Sequence, residues 1–178
     1  MRKVILGTSL LCILVAGCEN QSPPKDSDGI QKSSVISKIS KIPPAVIGNK
    51  TFELGAKCNM ETLGGKPWSS ILPIDQKKTL IITGWGVDDK RKLAPKAIFL
   101  RVQDEAANEF YVQAEPTSRP DVAGYFKEDY FTQSGYLVNV DVSDLPAATY
   151  DAMIIMDVSS KTILCSSGRK FVIAGVAK

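Results

Sequence analysis

Short β-rich segments separated by turn residues follow one another from residue 50 onward, and they limit the fold more than any other feature of the sequence. Within residues 136–142 every second side chain is apolar, a pattern that gives a strand one inward face. Seven or eight such strands without long helices between them predict an all-β fold, an antiparallel, immunoglobulin-like β-sandwich. The predicted strands are residues 51–54, 78–87, 97–102, 109–114, 136–142, 150–158 and 170–176.

One segment departs from this pattern and predicts a short helix near residues 119–126. Ser118 and Asp121 have the spacing of a capping box, and Pro120 suits the first helical turn, where a missing amide hydrogen costs little. The apolar side chains that follow recur at i, i+3 and i+4, as on one face of a helix. We expect residues 127–135 to form a loop that leads into the next strand.

The N-terminal residues have the pattern of an export signal. Two basic residues precede an apolar run, residues 4–16, that is too short for a permanent membrane-spanning helix. The sequence Val15-Ala16-Gly17-Cys18 resembles the lipobox of bacterial lipoproteins. That resemblance implies that residues 1–17 are removed as a signal peptide and that Cys18 carries a diacylglycerol and an N-acyl chain such as palmitate.

The lipobox resemblance also implies a location in the cell envelope, with the protein attached to a membrane by its lipid. In such lipoproteins an aspartate directly after the lipidated cysteine is the usual signal for retention in the inner membrane. This chain has Glu19 at that position. We therefore expect the outer membrane, with the protein facing the periplasm, rather than the inner membrane.

Residues 18–47 are predicted to be a flexible tether, because residues 21–29 are rich in serine, proline, lysine and aspartate and cannot bury apolar surface. Four aliphatic side chains between residues 35 and 42 recur at near-helical spacing. They fit either a short helix that binds a membrane surface or a partner, or a weakly ordered segment that docks on the domain or not at all. The sandwich itself is expected to cover residues 48–178.

The four cysteines are assigned by position. Cys12 would leave with the signal peptide and Cys18 would carry lipid, so Cys58 and Cys165 remain for one disulfide in an oxidising compartment. Such a bond closes a loop of about 107 residues, for which chain entropy predicts stabilisation on the order of 4–5 kcal/mol. A metal site or a catalytic thiol is the alternative. The sequence has no histidine and no second cysteine pair, which favours the disulfide, and we expect no metal and no cofactor.

The charge balance of the mature chain argues against nucleic acid as a partner. Without the two basic residues of the signal, 20 basic residues remain against 19 acidic ones. A phosphate-binding glycine loop, a Ser/His/Asp set and metal-ligand spacing are all missing from the sequence. Glu128 and Asp129 resemble the acid pair of a glycoside hydrolase, but no opposing carboxylate is placed by the sequence. We therefore expect no catalytic residues and no enzyme activity.

Three motifs resemble a β-sandwich module of bacterial envelope proteins that is also attached to some membrane glycosyltransferases. They are Gly84-Trp85 with Asp88, Arg119-Pro120-Asp121-Val122, and Leu145-Pro146-Ala147-Ala148-Thr149-Tyr150. The similarity covers about residues 80–155 and implies a role in carbohydrate recognition without a transferase region. Ala148 replaces the glycine that is usual in the module, which implies a different geometry for that turn.

Each motif also has a purely structural interpretation. Trp85 lies in an apolar strand, where a large ring is expected in the sandwich core. Arg119 is expected to pin the helix by pairing with Asp88 or another acid, or else to bind a polar ligand. Tyr150 has the position of a tyrosine corner, in which the hydroxyl holds the preceding turn.

Aromatic residues in predicted loops are the candidate ligand-binding residues. Sugars present flat C–H faces and hydroxyl rims, so a sugar site needs exposed rings beside polar groups. Alternatively, these rings close the ends of the core. The candidate site comprises Trp68, Tyr125, Tyr130 and Phe131 as rings, with Arg119 and Glu128 as polar neighbours.

These observations predict a non-catalytic, lipid-anchored envelope protein that recognises carbohydrate. The alternative is a structural or accessory lipoprotein that binds another envelope protein. Exposure of the loop rings is the property that separates the two functions.

Replacing Cys18 by serine removes the thiol that accepts the lipid. In bacteria that process lipoproteins, the C18S protein is expected to incorporate no labelled palmitate, and mass spectrometry should find no acylated N-terminus. The matched control is Cys12→Ser, which should be lipidated like the wild type. Labelling of the C18S protein would contradict the lipobox assignment.

Overall fold

Inward-facing apolar side chains from two β-sheets form one core, which confirms the predicted all-β sandwich. The computed structural model describes residues 35–48, 50–69, 71–74 and 79–174. The predicted signal peptide, the lipidation site Cys18 and residues 18–34 of the predicted tether lie outside these residues.

The described residues contain twelve strands, one α-helix and one 3₁₀ helix. In chain order they are β1 (Ser37–Lys38), β2 (Glu53–Leu54), β3 (Lys57–Leu63), β4 (Lys66–Pro67), β5 (Ile71–Ile74), β6 (Thr79–Val87), β7 (Ala97–Asp104), β8 (Glu109–Gln113), β9 (Glu115–Thr117), α1 (Pro120–Phe126), the 3₁₀ helix (Asp129–Gln133), β10 (Gly135–Asp141), β11 (Ala148–Val158) and β12 (Lys161–Ile173).

The two sheets are mixed, with parallel pairs at short strands beside the antiparallel pairing that the sequence predicts. Sheet A has the order β1-β10-β6-β3-β4, and β9 also pairs with β10. Sheet B has the order β2-β12-β11-β7-β8, and β5 also pairs with β12. The long central strands are antiparallel, whereas β1 runs parallel to β10, and β2 and β5 run parallel to β12. The strands in these parallel pairs, β1, β2 and β5, are short and lie at sheet edges. Each is joined to its partner strand by a long crossover connection, because a hairpin can join only antiparallel strands.

The long strands β6, β7, β8, β10 and β11 lie within two residues of the predicted boundaries. Strand β3 and the first nine residues of β12 were not predicted. The sequence of β3, Lys-Cys-Asn-Met-Glu-Thr-Leu, has one β-branched residue and no strict alternation. Its conformation depends on pairing with β6, which the local sequence does not encode.

The predicted disulfide is confirmed and joins the two sheets. Cys58 of β3 and Cys165 of β12 are bonded across a sequence separation of 107 residues. Because the bond closes a long loop, it is expected to lower the entropy of the unfolded chain and thereby to stabilise the folded domain strongly. It fixes the first long strand of sheet A to the last strand of sheet B.

The predicted tyrosine corner is also confirmed. The Tyr150 hydroxyl donates to the carbonyl of Pro146 at 2.8 Å, and its ring stacks on Phe171 with 5.2 Å between centroids. Burial raises the pKa of Tyr150 to about 12. The side chain therefore holds the turn before β11 while its ring fills the core.

The end of the predicted tether is part of the folded domain. Residues 37–48 and 50–54, which we name the strap, lie across the outer face of sheet B, between Ser40, which pairs with β8, and β2, which pairs with β12. Ser40 exchanges two backbone hydrogen bonds with Tyr111 of β8, at 2.7 and 3.0 Å. Ile47 is 1% exposed and belongs to a cluster with Phe99, Tyr111 and Ile155.

This packing corrects the tether boundary at residue 47 and decides between the two alternatives stated for residues 35–42, of which the short helix is not observed. These residues are extended. Strand β1 pairs with β10 of sheet A, and Ser40 pairs with Tyr111 of sheet B. The apolar outer face of sheet B would otherwise face water, so the strap gains by covering it. The predicted alternative in which the segment docks on the domain is the one observed.

The predicted helix near residues 119–126 is confirmed as α1, on the outer face of sheet A. None of the helical segments in the described residues is long and apolar enough to cross a membrane.

Replacing Ile47 by alanine tests whether the strap stabilises the domain. We expect a loss of about 2–4 kcal/mol in the free energy of unfolding, because a buried aliphatic side chain is replaced by a cavity. The control Ile42→Ala changes a side chain on the same segment that is 77% exposed, and its effect should stay below about 0.5 kcal/mol. Urea unfolding measures both, and equal stability of I47A and wild type would contradict the packing of the strap.

Candidate functional site

Residues 119–133, which contain α1 and the 3₁₀ helix, form a cap on the outer face of sheet A. The helix begins at Pro120, whose missing amide hydrogen would lack an intrahelical partner in any case. It ends at Lys127, which has a φ of +57°. The amides of Lys127 and the next residue donate back to carbonyls of the last turn, which turns the chain into the 3₁₀ helix.

The predicted capping box is wrong. Arg119 rather than Ser118 is the N-cap residue, and no side chain caps the helix. Asp121 instead accepts two hydrogen bonds from the Arg119 guanidinium, from Nε at 2.8 Å and from Nη2 at 2.6 Å. Charge-assisted hydrogen bonds of this kind are about twice as strong as neutral ones, so the Asp121 carboxylate bonds to Arg119 instead of to Ser118.

Arg119 also fastens the cap to sheet A. Its guanidinium donates to both carboxylate oxygens of Glu61, at 2.7 and 3.0 Å. A Cβ on Gly135 would lie 2.5 Å from the Arg119 Cγ, so the arginine side chain starts directly above β10 and reaches across to β3. The other predicted partner, Asp88, pairs with Arg91 at 2.7 Å. With two carboxylates on its guanidinium, Arg119 acts as a clamp between the cap and sheet A, and its role in ligand binding stays a prediction.

Arg119 and Asp121 shift each other's pKa. The hydrogen bonds from Arg119 lower the pKa of Asp121 to about 2. The hydrogen bond with Asp121 likewise raises the pKa of Arg119 above its ordinary value. Both groups therefore stay charged throughout the neutral pH range.

An apolar cluster holds the cap on the sheet. Val122, Ala123 and Phe131 of the cap are buried together with Val87, the last residue of β6. On the far side of the cap, an ion pair between Glu128 and Lys92 joins it to the connection between β6 and β7. The cap is thus attached by an apolar base and by ion pairs at both ends.

Phe126 connects the aromatic rings of this region. It contacts Trp85, Tyr125 and Phe131 edge to face, with ring centroids 5.7, 5.0 and 5.4 Å apart. Edge-to-face contacts of this kind add about 0.5–1.5 kcal/mol each to the gain from burial. One of these contacts is made by the exposed ring of Tyr125.

The six predicted ligand-binding residues have three different environments. Tyr125 and Tyr130 are 81% and 76% exposed on the cap. Arg119 and Glu128 lie on the same cap, partly buried, and both are in ion pairs. The remaining two, Trp68 and Phe131, are buried.

Burial of Trp68 and Phe131 corrects their assignment as binding rings. Trp68 is 1% exposed, its Nε1 donates to the Lys170 carbonyl at 3.1 Å, and its ring lies 6.4 Å from Phe171 in the core. Phe131 faces the sheet beneath the cap. Both rings fill apolar space that smaller loop residues would leave empty. This agrees with the alternative prediction that the loop rings close the ends of the core.

Sequence reasoning also misplaced Trp85. It was predicted in the core, yet it lies partly buried on the outer face of sheet A, against Phe126. Gly84 and Gly86 are the inward positions, since a Cβ on Gly84 would lie 2.4 Å from the Tyr136 hydroxyl oxygen and one on Gly86 would lie 2.6 Å from the Met156 sulfur. The Gly-Trp-Gly alternation is the signal that indicates an outward tryptophan.

Comparisons with protein-family models, with curated proteins and with solved structures give no match for this chain. The similarity to envelope modules stated for residues 80–155 therefore stays a prediction. The cap, with its clamp and its two exposed tyrosines, is the candidate site on structural grounds alone.

Replacing Arg119 by methionine tests the clamp. In the wild type, Asp121 should titrate at about pH 2, and in R119M its pKa should return to about 4, which side-chain carboxyl NMR measures. Because the folded-state pKa of Asp121 lies below its unfolded value, its stabilising contribution is complete above about pH 4 and is lost as the pH falls towards 2. The stability difference between wild type and R119M should shrink over that range.

The control for this experiment is Lys92→Met, which removes the other ion pair of the cap. It should leave the titration of Asp121 unchanged. An Asp121 that titrates near pH 4 in the wild type would contradict the clamp.

Proposed function

We propose that this protein is a non-catalytic, lipid-anchored protein of the cell envelope that recognises carbohydrate through its cap. The observation that carries the proposal is the exposure of Tyr125 and Tyr130, at 81% and 76%, on a cap whose other large rings are buried or partly buried. Large rings that stay in water on a rigid support are available to stack on the C–H face of a sugar.

The rigidity of the cap supports this proposal. A ring that is already held in place loses little conformational freedom when a ligand binds, and more of the contact energy then appears as affinity. The ring of Tyr125 packs edge to face against the ring of Phe126. Asp121, whose side chain is 64% exposed beside it on α1, offers acceptor oxygens to sugar hydroxyls.

The lipid anchor is proposed at Cys18, and the outer membrane is proposed as its location, on the sequence evidence given above. The described domain begins to pair with its sheets at Ser37. In this proposal the chain between Cys18 and Ser37 links the lipid to the domain, which is shorter than the predicted tether of residues 18–47.

A protein partner in the envelope is the second candidate function. Leu54 of β2 and Ile71 of β5 are 78% and 53% exposed, and both strands pair with β12 at the edge of sheet B. Exposed aliphatic residues at a sheet edge favour contact with another protein. Photo-crosslinking from position 54 in cells tests this function, and recovery of the protein alone would count against it.

Carbohydrate binding is tested with the mature lipoprotein in detergent, against peptidoglycan fragments and surface polysaccharides. We expect binding that Tyr125→Ala or Tyr130→Ala weakens about tenfold, because each loses the apolar contact of one ring, on the order of 1–2 kcal/mol. The matched variants Tyr125→Phe and Tyr130→Phe keep the rings and should bind nearly as well as wild type. Absence of binding to every glycan in the set would refute the proposed function.

A further inference from the structure

Gly124 is an exposed glycine inside α1, and no contact within the described part of the chain explains its presence there. Its φ lies outside the left-handed range that favours glycine. A Cβ added to it would lie in open space, because no described atom outside its chain neighbours and its own helix backbone lies within 4 Å. Every other glycine in the described residues has a positive φ or leaves no room for a Cβ.

This glycine makes α1 less stable than an alanine would. Apart from proline, glycine is the least favourable residue in a helix interior, because its backbone loses the most conformational freedom on folding. The helix has only seven residues, so it has few other positions that could offset the loss. A glycine that costs stability and relieves no clash indicates that something outside the chain approaches the Gly124 backbone closely.

The exposed face of α1 places Gly124 beside the two groups on this helix that are proposed above for sugar recognition. Asp121, Gly124 and Tyr125 have the spacing i, i+3 and i+4, and residues at this spacing are neighbours on a helix surface. All three are exposed, whereas Val122 and Ala123 are buried against the sheet. Gly124 thus adds a position without a side chain to a face that already has a carboxylate and an aromatic ring.

The charges around this face favour a ligand without negative charge. The clamp combines Arg119 with the carboxylates of Glu61 and Asp121, so it has one more negative charge than positive charge. Residues 127–129 and Lys92 contribute two positive and two negative charges, which balance each other. An acidic sugar would be repelled by the surplus carboxylate, whereas the hydroxyl groups of a neutral sugar can donate hydrogen bonds to it.

We propose that Gly124 is a contact point for one ring of a neutral glycan. The ring lies against the Gly124 backbone, with its C–H face on Tyr125 and a hydroxyl group that donates to Asp121. A methyl group at position 124 would occupy the space of the sugar and move it away from both partners. This inference rests on the proposed function and deepens it, because it identifies the face of the cap that binds and the class of sugar.

The test uses chitohexaose as a neutral probe and hexagalacturonate as an acidic one, with the mature lipoprotein in detergent. We expect Gly124→Ala to weaken chitohexaose binding about tenfold and to raise the midpoint of thermal unfolding by about 2–4 °C, because alanine favours the helix while its methyl group blocks the sugar. In NMR spectra, nuclear Overhauser effects should connect the Gly124 α-protons with the sugar. The control Gln133→Ala changes another exposed residue of the cap and should bind chitohexaose like the wild type.

The outcomes separate this inference from the proposed function. If Tyr125→Ala weakens chitohexaose binding but Gly124→Ala binds like the wild type, this inference is overturned while carbohydrate recognition by the cap stands. A lower unfolding midpoint for Gly124→Ala would show that the glycine serves the fold, and would also overturn it. Tighter binding of hexagalacturonate than of chitohexaose would refute the neutral ligand.

Two further outcomes concern the kind of ligand. If neither probe binds, this inference is overturned, and the proposed function is overturned with it only if the peptidoglycan fragments and surface polysaccharides also fail to bind. If photo-crosslinking from position 118 in cells captures another protein and Gly124→Ala abolishes that capture, this face of α1 belongs to a protein partner and not to a glycan.

Discussion

Both sheets of this sandwich carry apolar side chains on their outer faces as well as on their inner ones, and covering those outer faces organises the rest of the molecule. The side chains of Phe99, Tyr111 and Ile155 lie on the outer face of sheet B, away from the core, and Ile47 of the strap covers them. Sheet A has Val87 and Trp85 in the equivalent situation, and the cap covers them. An uncovered apolar face would cost roughly 25 cal/mol for each Å² exposed to water, which favours a folded strap and a folded cap.

The cap is also where structure and proposed function meet. It contributes Phe131 to an apolar base and uses Arg119 to join Glu61 and Asp121, so its backbone is fixed on the sheet. Tyr125 and Tyr130 are exposed on this support. The segment that covers the apolar outer face of sheet A is thus also the surface that we propose for carbohydrate recognition.

The fold was largely predictable, and the candidate site only in part. Alternation in residues 136–142 and the β-branched runs of the other long strands predict the sandwich, because a strand with one buried face leaves a period of two in the sequence. Once Cys12 is assigned to the signal peptide and Cys18 to the lipid, only Cys58 and Cys165 remain. The sequence therefore predicts the disulfide between them. Strand β3 and the strap have no comparable local signal, since pairing with distant residues decides their conformation.

For the site, the sequence alone identified the aromatic residues of the cap and the helix that carries some of them. It did not separate the exposed rings of Tyr125 and Tyr130 from the buried ring of Phe131, or place Trp68 inside and Trp85 outside the core. Local sequence determines strand periodicity, helix position and disulfide pairing, because these depend on neighbouring residues or on residue counts. Which ring meets water depends on which distant surface lies against it, and only the tertiary structure decides that.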